Sequence, residues 1–112
     1  MSVAVVSNLV EEWRPITGFI RYEVSSLGRF RRRFTGAILR GKNCNGYTLI
    51  GLMRDGVQFT KTAHRIVAIT FLGDPPPGKP IVNHINRVRH DNRVANLEWI
   101  SYSGNALHAL AR

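Results

Sequence analysis

The stretch Ile81-Val82-Asn83-His84-Ile85-Asn86, followed by Asp91-Asn92-Arg93-Val94-Ala95-Asn96-Leu97-Glu98-Trp99-Ile100, decides the fold of this chain. In this stretch a histidine directly follows an amide side chain, and a further asparagine stands at position 96. A third asparagine, Asn105, follows beyond the stretch. One histidine and three amides at these separations form a candidate site if the chain between them folds back on itself.

The residues around this stretch predict four successive elements: a strand over residues 79–84, a polar loop over 85–95, a strand over 96–101 and a helix over 104–111. Ser103 is the candidate cap of that helix. A strand, loop, strand and helix in this order bring the end of the first strand close to the start of the helix. We therefore expect Asn83, His84 and Asn105 to surround one spot.

The chemistry of these side chains suits hydrolysis of a phosphodiester. A neutral histidine near its pKa can take a proton from water. Amide oxygens are ligands for a hard cation, which also binds phosphate oxygens and stabilises the leaving alkoxide. A single asparagine in a polar loop is more often a turn former satisfied by its own backbone. The hypothesis therefore depends on the joint spacing of His84, Asn96 and Asn105.

Upstream of the stretch, the sequence predicts a helix over residues 64–72 and a stiff connector over residues 73–80. Apolar side chains recur on one helical face, and the run Gly73-Asp74-Pro75-Pro76-Pro77-Gly78 ends the helix. His64 opens the helix, and we interpret it as a partly buried residue satisfied by the backbone. Of the other histidines, we expect His90 in a solvated loop. His108 lies three residues after Asn105 and could reach the site, but we expect it at the surface.

The first half of the chain predicts a small antiparallel sheet built from hairpins. Alternation of large and polar residues predicts strands over residues 21–25, 29–34, 36–39, 47–53 and 57–61. Asn45-Gly46 and Asp55-Gly56 are signals for tight turns. We interpret residues 42–46 as a divider between two strands, and residues 1–12 as an irregular arm or a first short strand.

The charge balance points to a polyanionic partner. The 112 residues include 16 Lys and Arg against seven Asp and Glu, a net charge of +9, which suits nucleic acid or an anionic membrane surface. Seven basic residues and one acid lie between Arg21 and Lys42. Exposed strands also carry arginine for solubility and edge protection. The clustering of the basic residues and the aromatic residues among them, Tyr22, Phe30 and Phe34, favour a face that contacts the DNA backbone.

Length, cysteine content and hydropathy exclude several classes of protein. A chain of 112 residues suits one domain with a modest core. The single Cys44 excludes an internal disulfide and a zinc site built on cysteine pairs. No apolar run reaches about 18 residues, so we expect no transmembrane helix, and residues 1–7 lack the basic start of a secretion signal. We therefore expect a cytoplasmic protein in a reducing compartment.

Residues 81–105 resemble the HNH endonucleases, in particular the phage and intron-borne nicking homing type, whose core is the ββα-metal (His-Me finger) fold. The resemblance extends back through Ala63-His64-Arg65-Ile66-Val67-Ala68-Ile69-Thr70-Phe71, which is similar to the helix before that motif. Trp13 and the run Tyr22-Glu23-Val24-Ser25-Ser26-Leu27-Gly28-Arg29 resemble the nuclease-associated segment of the NUMOD type. The resemblance implies an α+β fold with two parts: a NUMOD-like β segment over residues 1–62 and an HNH nuclease core over residues 63–112.

The resemblance also implies a role for each residue of the candidate site. His84 matches the general base that activates the attacking water, and Asn96 matches the residue that braces the loop and orients that histidine. Asn83 and Asn105 match the two protein ligands of one divalent cation, Mg²⁺ or Mn²⁺. Position 83 is Asp or Asn in relatives, and two neutral amides hold a cation weakly, so we expect metal to bind mainly with DNA present. The candidates for contact with the DNA backbone are Arg29, Arg31, Arg32, Arg33, Arg87, Arg89 and Arg93.

The expected function is therefore metal-dependent cleavage of double-stranded DNA in a bacterial or phage-infected cell. A single site nicks one strand, and cutting both strands would need a homodimer. Relatives of this type often continue into a helical DNA-reading module, and we expect loose site specificity in a sequence that ends at Arg112. Two alternatives stay open: a DNA-binding module with a weak or inactive site, and a basic structural or RNA-binding protein on the same scaffold.

Overall fold

The computed structural model describes residues 10–110, with side chains through His108. Within this range the elements are β1 (Trp13–Ile16), β2 (Phe19–Ser25), β3 (Phe30–Arg32), β4 (Lys42–Cys44), β5 (Tyr47–Arg54), β6 (Val57–Thr62), α1 (Ala63–Leu72), β7 (Ile81–His84), β8 (Leu97–Ile100) and α2 (Tyr102–Leu110). A short 3-10 helix, Val94–Asn96, precedes β8. The strands form three antiparallel sheets, in the orders β1-β2-β3, β4-β5-β6 and β7-β8. This is the α+β architecture that the sequence predicts.

The first sheet begins with a strand that the sequence analysis did not identify. β1 contains Pro15, which has no backbone N–H to donate. A proline is tolerated here because β1 lies at the edge of its sheet. Trp13 pairs with Ser25 of β2, and the register shifts between Pro15 and Ile16. The interpretation of residues 1–12 as an arm or short strand falls largely outside the described residues.

Two predictions for the segment between the first two sheets are wrong. The predicted strand over residues 36–39 is reduced to one bridge between Ile38 and Arg31. The predicted divider over residues 42–46 instead contains β4, which pairs with β5 across the two-residue turn Asn45-Gly46. Both turn residues have positive φ, 53° and 85°, which asparagine and glycine adopt at low cost. The predicted turn at Asn45-Gly46 is confirmed. The strand before it is β4, which has three residues and directly precedes the turn.

One hydrophobic core joins the sheets to α1. Its buried apolar side chains come from all three sheets and from α1, and they include Val24, Phe30, Leu52, Val67 and Leu97. The backbone amide of Met53 in β5 also donates a hydrogen bond to the hydroxyl of Tyr22 in β2, at 3.1 Å. The core therefore contains residues of both predicted segments, and the boundary after residue 62 remains a prediction.

α1 connects this core to the carboxy-terminal hairpin. It starts one residue before the predicted range of 64–72 and ends at Gly73, whose φ of 86° suits glycine. Its buried side chains are Ala63, Val67 and Ala68, whereas His64 lies beside β5 and β7. Among the described residues, no helix is long and apolar enough to cross a membrane.

Candidate functional site

His84 is the last residue of β7, and an asparagine of the following loop holds its ring. The His84 side chain is only 6% exposed, and its Nε2 lies 2.8 Å from Oδ1 of Asn92. Because an amide oxygen can only accept a hydrogen bond, Nε2 is the donor in this contact, and in the neutral imidazole the lone pair is then on Nδ1. Nδ1 is therefore the ring nitrogen of His84 that is left without this partner.

Asn96 braces the loop between β7 and β8. Its Oδ1 accepts a hydrogen bond from the backbone amide of Asn86 at 3.0 Å. Its Nδ2 donates to the side-chain oxygen of Asn86 at 2.9 Å and to the backbone carbonyl of Asp91 at 2.8 Å. These are the contacts expected of a loop brace. The side chain that accepts a hydrogen bond from the ring of His84 is Asn92, so the hydrogen bonds of Asn96 act on the loop.

A carboxylate on the neighbouring strand orients Asn83. The antiparallel register places Asn83 opposite Glu98, and Nδ2 of Asn83 donates to Oε2 of Glu98 at 2.7 Å. The amide nitrogen is thus occupied, and the amide oxygen is left for another ligand. Orientation of a ligand by a second residue is a common property of metal sites.

α2 begins two residues earlier than predicted. The Oγ of Ser101 accepts a hydrogen bond from the backbone amide of Gly104 at 3.0 Å, so Ser101 caps the helix and the predicted cap, Ser103, lies inside it. Both serines satisfy the sequence rule for a cap, and the one that directly follows β8 takes the position. Asn105 lies in the first turn of α2, as predicted.

A cleft of about 250 Å³ brings the predicted residues together. Asn83, His84 and Asn105 all line this cleft, as the expected order of strand, loop, strand and helix requires. Arg87 and Arg89 of the loop line it as well. One histidine, two amide oxygens and two guanidinium groups therefore share one small, polar space.

The cleft also contains a histidine that we expected at the surface. His108 of α2 lines the cleft and is half-buried. Its Nε2 is buried and has no hydrogen-bond partner among the described residues. The other loop histidine, His90, is exposed as predicted.

Two rings from the earlier part of the chain lie against His84. The ring centroid of His64 is 5.1 Å from that of His84, and the centroid of Tyr47 is 6.1 Å from it. Burial, together with the charges of His84 and Arg65, lowers the pKa of His64 to about 4, so its ring is neutral at pH 7. Its Nδ1 is buried without a partner among the described residues, so our interpretation of His64 as satisfied by the backbone is wrong.

The seven arginines predicted to contact DNA fall into two groups. Three form ion pairs within the fold, at 2.6, 2.8 and 2.7 Å: Arg29 with Glu11, Arg31 with Glu23, and Arg93 with Asp91. The hydrogen bond from Arg93 holds the pKa of Asp91 at about 2. The other four are Arg32 and Arg33, which are exposed near the end of β3, and Arg87 and Arg89 in the cleft.

The oxygen atoms of the cleft suit a divalent cation whose other ligands do not come from the protein. Among the described residues, no group of three His, Cys, Asp or Glu side chains could hold a metal ion. The cleft offers the amide oxygens of Asn83 and Asn105, which are neutral ligands of the kind that hard cations accept. These residues fit a cation that completes its coordination with water and phosphate oxygens.

Sequence reasoning missed Asn92, Glu98, Tyr47 and the contact of His64 with the site. An asparagine in a polar loop is usually a turn former, and nothing local distinguishes Asn92 from such a residue. Glu98 could have been found, because a hairpin with this register places it opposite Asn83. Tyr47 and His64 are distant in sequence, and only the tertiary structure brings their rings to the cleft.

Family comparisons match both parts of the chain. The sequence model of the family described as HNH endonuclease matches residues 61–107. The model described as the NUMOD4 motif matches residues 11–52. The two matches cover the segments that the sequence analysis compared with these same families.

The chain is similar to several viral and phage proteins. It is 39% identical over 114 residues to the uncharacterized HNH endonuclease L247 of Acanthamoeba polyphaga mimivirus, a match that covers 98% of this chain and 29% of the relative. It is 33% identical to L245 of the same virus, over 91% of this chain and 31% of the relative. It is 40% identical to the SPbeta prophage-derived putative HNH homing endonuclease YosQ of Bacillus subtilis, over 59% of this chain and 38% of the relative. The chain thus spans about a third of the length of these curated relatives.

A solved structure shares the fold. The HNH homing endonuclease I-HmuI, described for its binding and cleavage of DNA, superposes with a TM-score of 0.81 at 31% sequence identity. The match covers 90% of this chain and 59% of that protein. This likeness confirms the predicted α+β fold with its HNH core.

Proposed function

The chain belongs to the HNH endonuclease family through residues 61–107, and on that premise we propose that it is a metal-dependent endonuclease that hydrolyses phosphodiester bonds in DNA. The observation that carries this proposal is the state of His84, whose Nε2 is occupied by Asn92 while its ring lines a cleft shared with Asn83 and Asn105. A base with a free nitrogen beside two oxygen ligands matches the needs of phosphodiester hydrolysis.

His84 is the general base in this proposal. Its Nδ1 removes a proton from water as the water oxygen attacks phosphorus. The bond between phosphorus and the leaving sugar oxygen breaks, and that oxygen takes a proton from solvent water. Asn92 keeps its acceptor oxygen on Nε2–H, which stabilises the imidazolium ion that results. Asn96 keeps the loop that carries Asn92 in place through its bonds to Asn86 and Asp91.

Asn83 and Asn105 are the residues that would hold the cation, Mg²⁺ or Mn²⁺. When bound, the cation supplies charge stabilisation for the scissile phosphate and the leaving oxygen. Glu98 fixes the amide of Asn83 so that its oxygen is available as a ligand. Because both ligands are neutral, we expect affinity for the metal to rise when the phosphates of DNA contribute further oxygens.

The DNA backbone would be held mainly by arginines that are free of ion pairs with acids. Arg87 and Arg89 line the cleft, which supports a role for them in contacting the phosphates next to the scissile bond. Arg32 and Arg33 are exposed at the end of β3 and suit contact with more distant phosphates. The other predicted candidates are weaker, because phosphate binding would compete with their ion pairs: Arg29, Arg31 and Arg93.

The proposed substrate is double-stranded DNA, and the proposed product is a nick. One cleft contains one base and one set of ligands, so each binding event cuts one strand. Cutting both strands would need a homodimer. We expect the protein to act in the cytoplasm of a bacterial or phage-infected cell.

Supercoiled plasmid tests the proposal. Incubation with the purified protein and Mg²⁺ or Mn²⁺ should convert it to nicked circles, and EDTA should stop the conversion. Asn105→Ala should need more metal to reach the same rate, whereas Leu107→Ala, at an exposed position of the same helix, should behave as the wild type. Nicking that persists in EDTA would contradict a metal-dependent site.

The alternative is a DNA-binding module with a weak or inactive site. Asn83 and Asn105 are neutral and bind a cation more weakly than a carboxylate would, and this favours the alternative. The same plasmid experiment separates the two functions. A gel shift of the plasmid without nicking in either metal would support the binding module and reject the enzyme.

A further inference from the structure

The contact between His64 and His84 is the feature of the molecule that the proposed mechanism leaves unused. The two ring centroids lie 5.1 Å apart with an angle of 63° between the ring planes, an edge-to-face arrangement. Tyr47 closes the group, with its centroid 5.3 Å from His64 and 6.1 Å from His84. Three elements therefore contribute to this ring cluster: β5, α1 and β7.

We propose that His64 is a positioning residue whose ring holds the ring of His84 in the orientation that points Nδ1 into the cleft. The inference rests on the proposed function, because it assigns a role around the proposed general base. His64 itself does not touch the substrate in this account. It acts through the ring of His84.

The hydrogen bond to Asn92 alone does not fix the ring of His84. A bond at Nε2 sets the direction of one nitrogen, but the ring can still tilt about that contact, since the torsion of an imidazole ring has a broad minimum. A second contact, against the face or edge of the ring, restricts that tilt. His64 and Tyr47 are the rings that make such contacts.

His64 does not serve as part of the hydrophobic core. The buried positions of α1 are Ala63, Val67 and Ala68, whereas His64 is only partly buried. Hydrogen bonding does not explain the position of the ring either, because its Nδ1 has no partner among the described residues. Its close neighbours are the two rings at the cleft.

The neutral state of His64 is compatible with this role. Burial, the charge of His84 and the charge of Arg65 keep the pKa of His64 at about 4. A neutral ring adds no second positive charge beside His84 when His84 takes up a proton.

Two substitutions and one control separate positioning from folding. His64→Ala removes the ring, and His64→Phe keeps a flat ring without nitrogens. His90→Ala makes the same change at an exposed histidine. We expect His64→Ala to lower kcat on the order of 10- to 100-fold, the size of loss that follows when a reacting group is misplaced, with KM for DNA unchanged. His64→Phe should recover most of kcat, and His90→Ala should match the wild type.

The inference is overturned if His64→Ala cuts DNA at the wild-type rate, or if its loss appears in KM alone. It is also overturned if His64→Phe folds with wild-type thermal stability and is as slow as His64→Ala, because the ring would then not be what matters. If the wild type itself does not cut DNA, the proposed function fails rather than this inference.

A measurement without DNA tests the inference independently of activity. In ¹⁵N spectra of the imidazole groups, His84 of the wild type should show one tautomer, protonated at Nε2. In folded His64→Ala, the His84 signals should broaden or show both tautomers, while the signals of His90 stay unchanged. Unchanged His84 signals in that variant would contradict a positioning role.

Discussion

A histidine acts as a base only through a nitrogen that carries no proton, so the hydrogen bond from His84 to Asn92 leaves Nδ1 for the proposed role as base. Three side chains orient the residues of the proposed site. Asn92 holds the ring of His84, Glu98 holds the amide of Asn83, and Asn96 holds the loop.

Replacing Asn92 tests the first of these contacts. Asn92→Ala removes the acceptor from Nε2 of His84, and we expect the rate of nicking to fall on the order of 10- to 100-fold. Asn92→Asp keeps an oxygen at the same place and should recover part of that rate. Single-turnover nicking of plasmid measures both variants. Equal rates for Asn92→Ala and the wild type would show that this contact is not needed.

Replacing Glu98 tests the second contact. Without its carboxylate the amide of Asn83 is free to turn, so Glu98→Ala should raise the Mg²⁺ concentration for half-maximal nicking by roughly 10- to 100-fold. Glu98→Gln still offers an acceptor oxygen and should shift that concentration less. A metal titration of the nicking rate is the measurement. An unchanged half-maximal concentration in Glu98→Ala would rule out an orienting role for Glu98.

At the scale of residues, the sequence predicts which side chains meet in the cleft better than it predicts which side chains orient them. His84, Asn83 and Asn105 meet in the cleft because their positions at a strand end and a helix start follow from local patterns. Asn92 and the ring of His64 could not be assigned, because a hydrogen bond in an irregular loop and a contact between distant elements leave no periodic signal.

At the scale of elements, the turn between β2 and β3 packs on the loop that carries Asn92. The backbone amide of Val94 donates to the carbonyl of Ser26 at 2.9 Å. Gly28 lies so close to Asn92 that a Cβ at position 28 would be 2.8 Å from its backbone carbonyl. The amino-terminal sheet thus supports the loop that orients His84.

Gly28→Ala tests this support. The substitution combines the strain of a positive φ of 83° with a clash against the backbone of Asn92, so we expect a loss of about 1–3 kcal/mol in the free energy of unfolding and a lower nicking rate. Gly56→Ala is the matched control, since Gly56 has a similar φ of 77° and open space around it. Thermal unfolding and plasmid nicking measure the two effects. A nicking rate in folded Gly28→Ala equal to that of Gly56→Ala would contradict the proposed support.

The elements themselves were predicted unequally. α1, β7 and β8 follow clear periodicity and clear end signals, so their predicted positions agree with the structure to within two residues. β1 was missed because Pro15 normally argues against a strand, and only its place at the sheet edge permits it. β4 was missed because its three exposed residues, Lys42–Cys44, show no alternation and pair only because the Asn45-Gly46 turn brings them back onto β5.

At the scale of the whole molecule, the arginines that contribute to the net charge of +9 divide into two groups. Some arginines neutralise acids inside the fold, and others are free to meet phosphate. Arg31 and Arg32 are neighbours on β3 and illustrate the difference. Arg31 pairs with Glu23 at 2.8 Å and lies 3.9 Å over the ring of Trp13, whereas Arg32 is exposed.

These two neighbours give a paired prediction. Arg32→Ala should weaken DNA binding without a change in thermal stability, and the slope of log affinity against log salt should fall by about 1. Arg31→Ala should lower thermal stability, because it removes an ion pair and a stacked cation. Gel shifts over a range of salt concentrations measure the first effect, and thermal unfolding measures the second. A salt slope unchanged in Arg32→Ala would remove this residue from the DNA-contacting set.

The most direct test of His84 as the general base is the single-turnover rate of plasmid nicking by His84→Ala at saturating protein and Mg²⁺. We expect a rate at least about 100-fold below that of the wild type, the loss expected for a general base, with unchanged affinity for DNA in gel shifts. Nicking by His84→Ala at the wild-type rate would show that the base is not the histidine in the cleft.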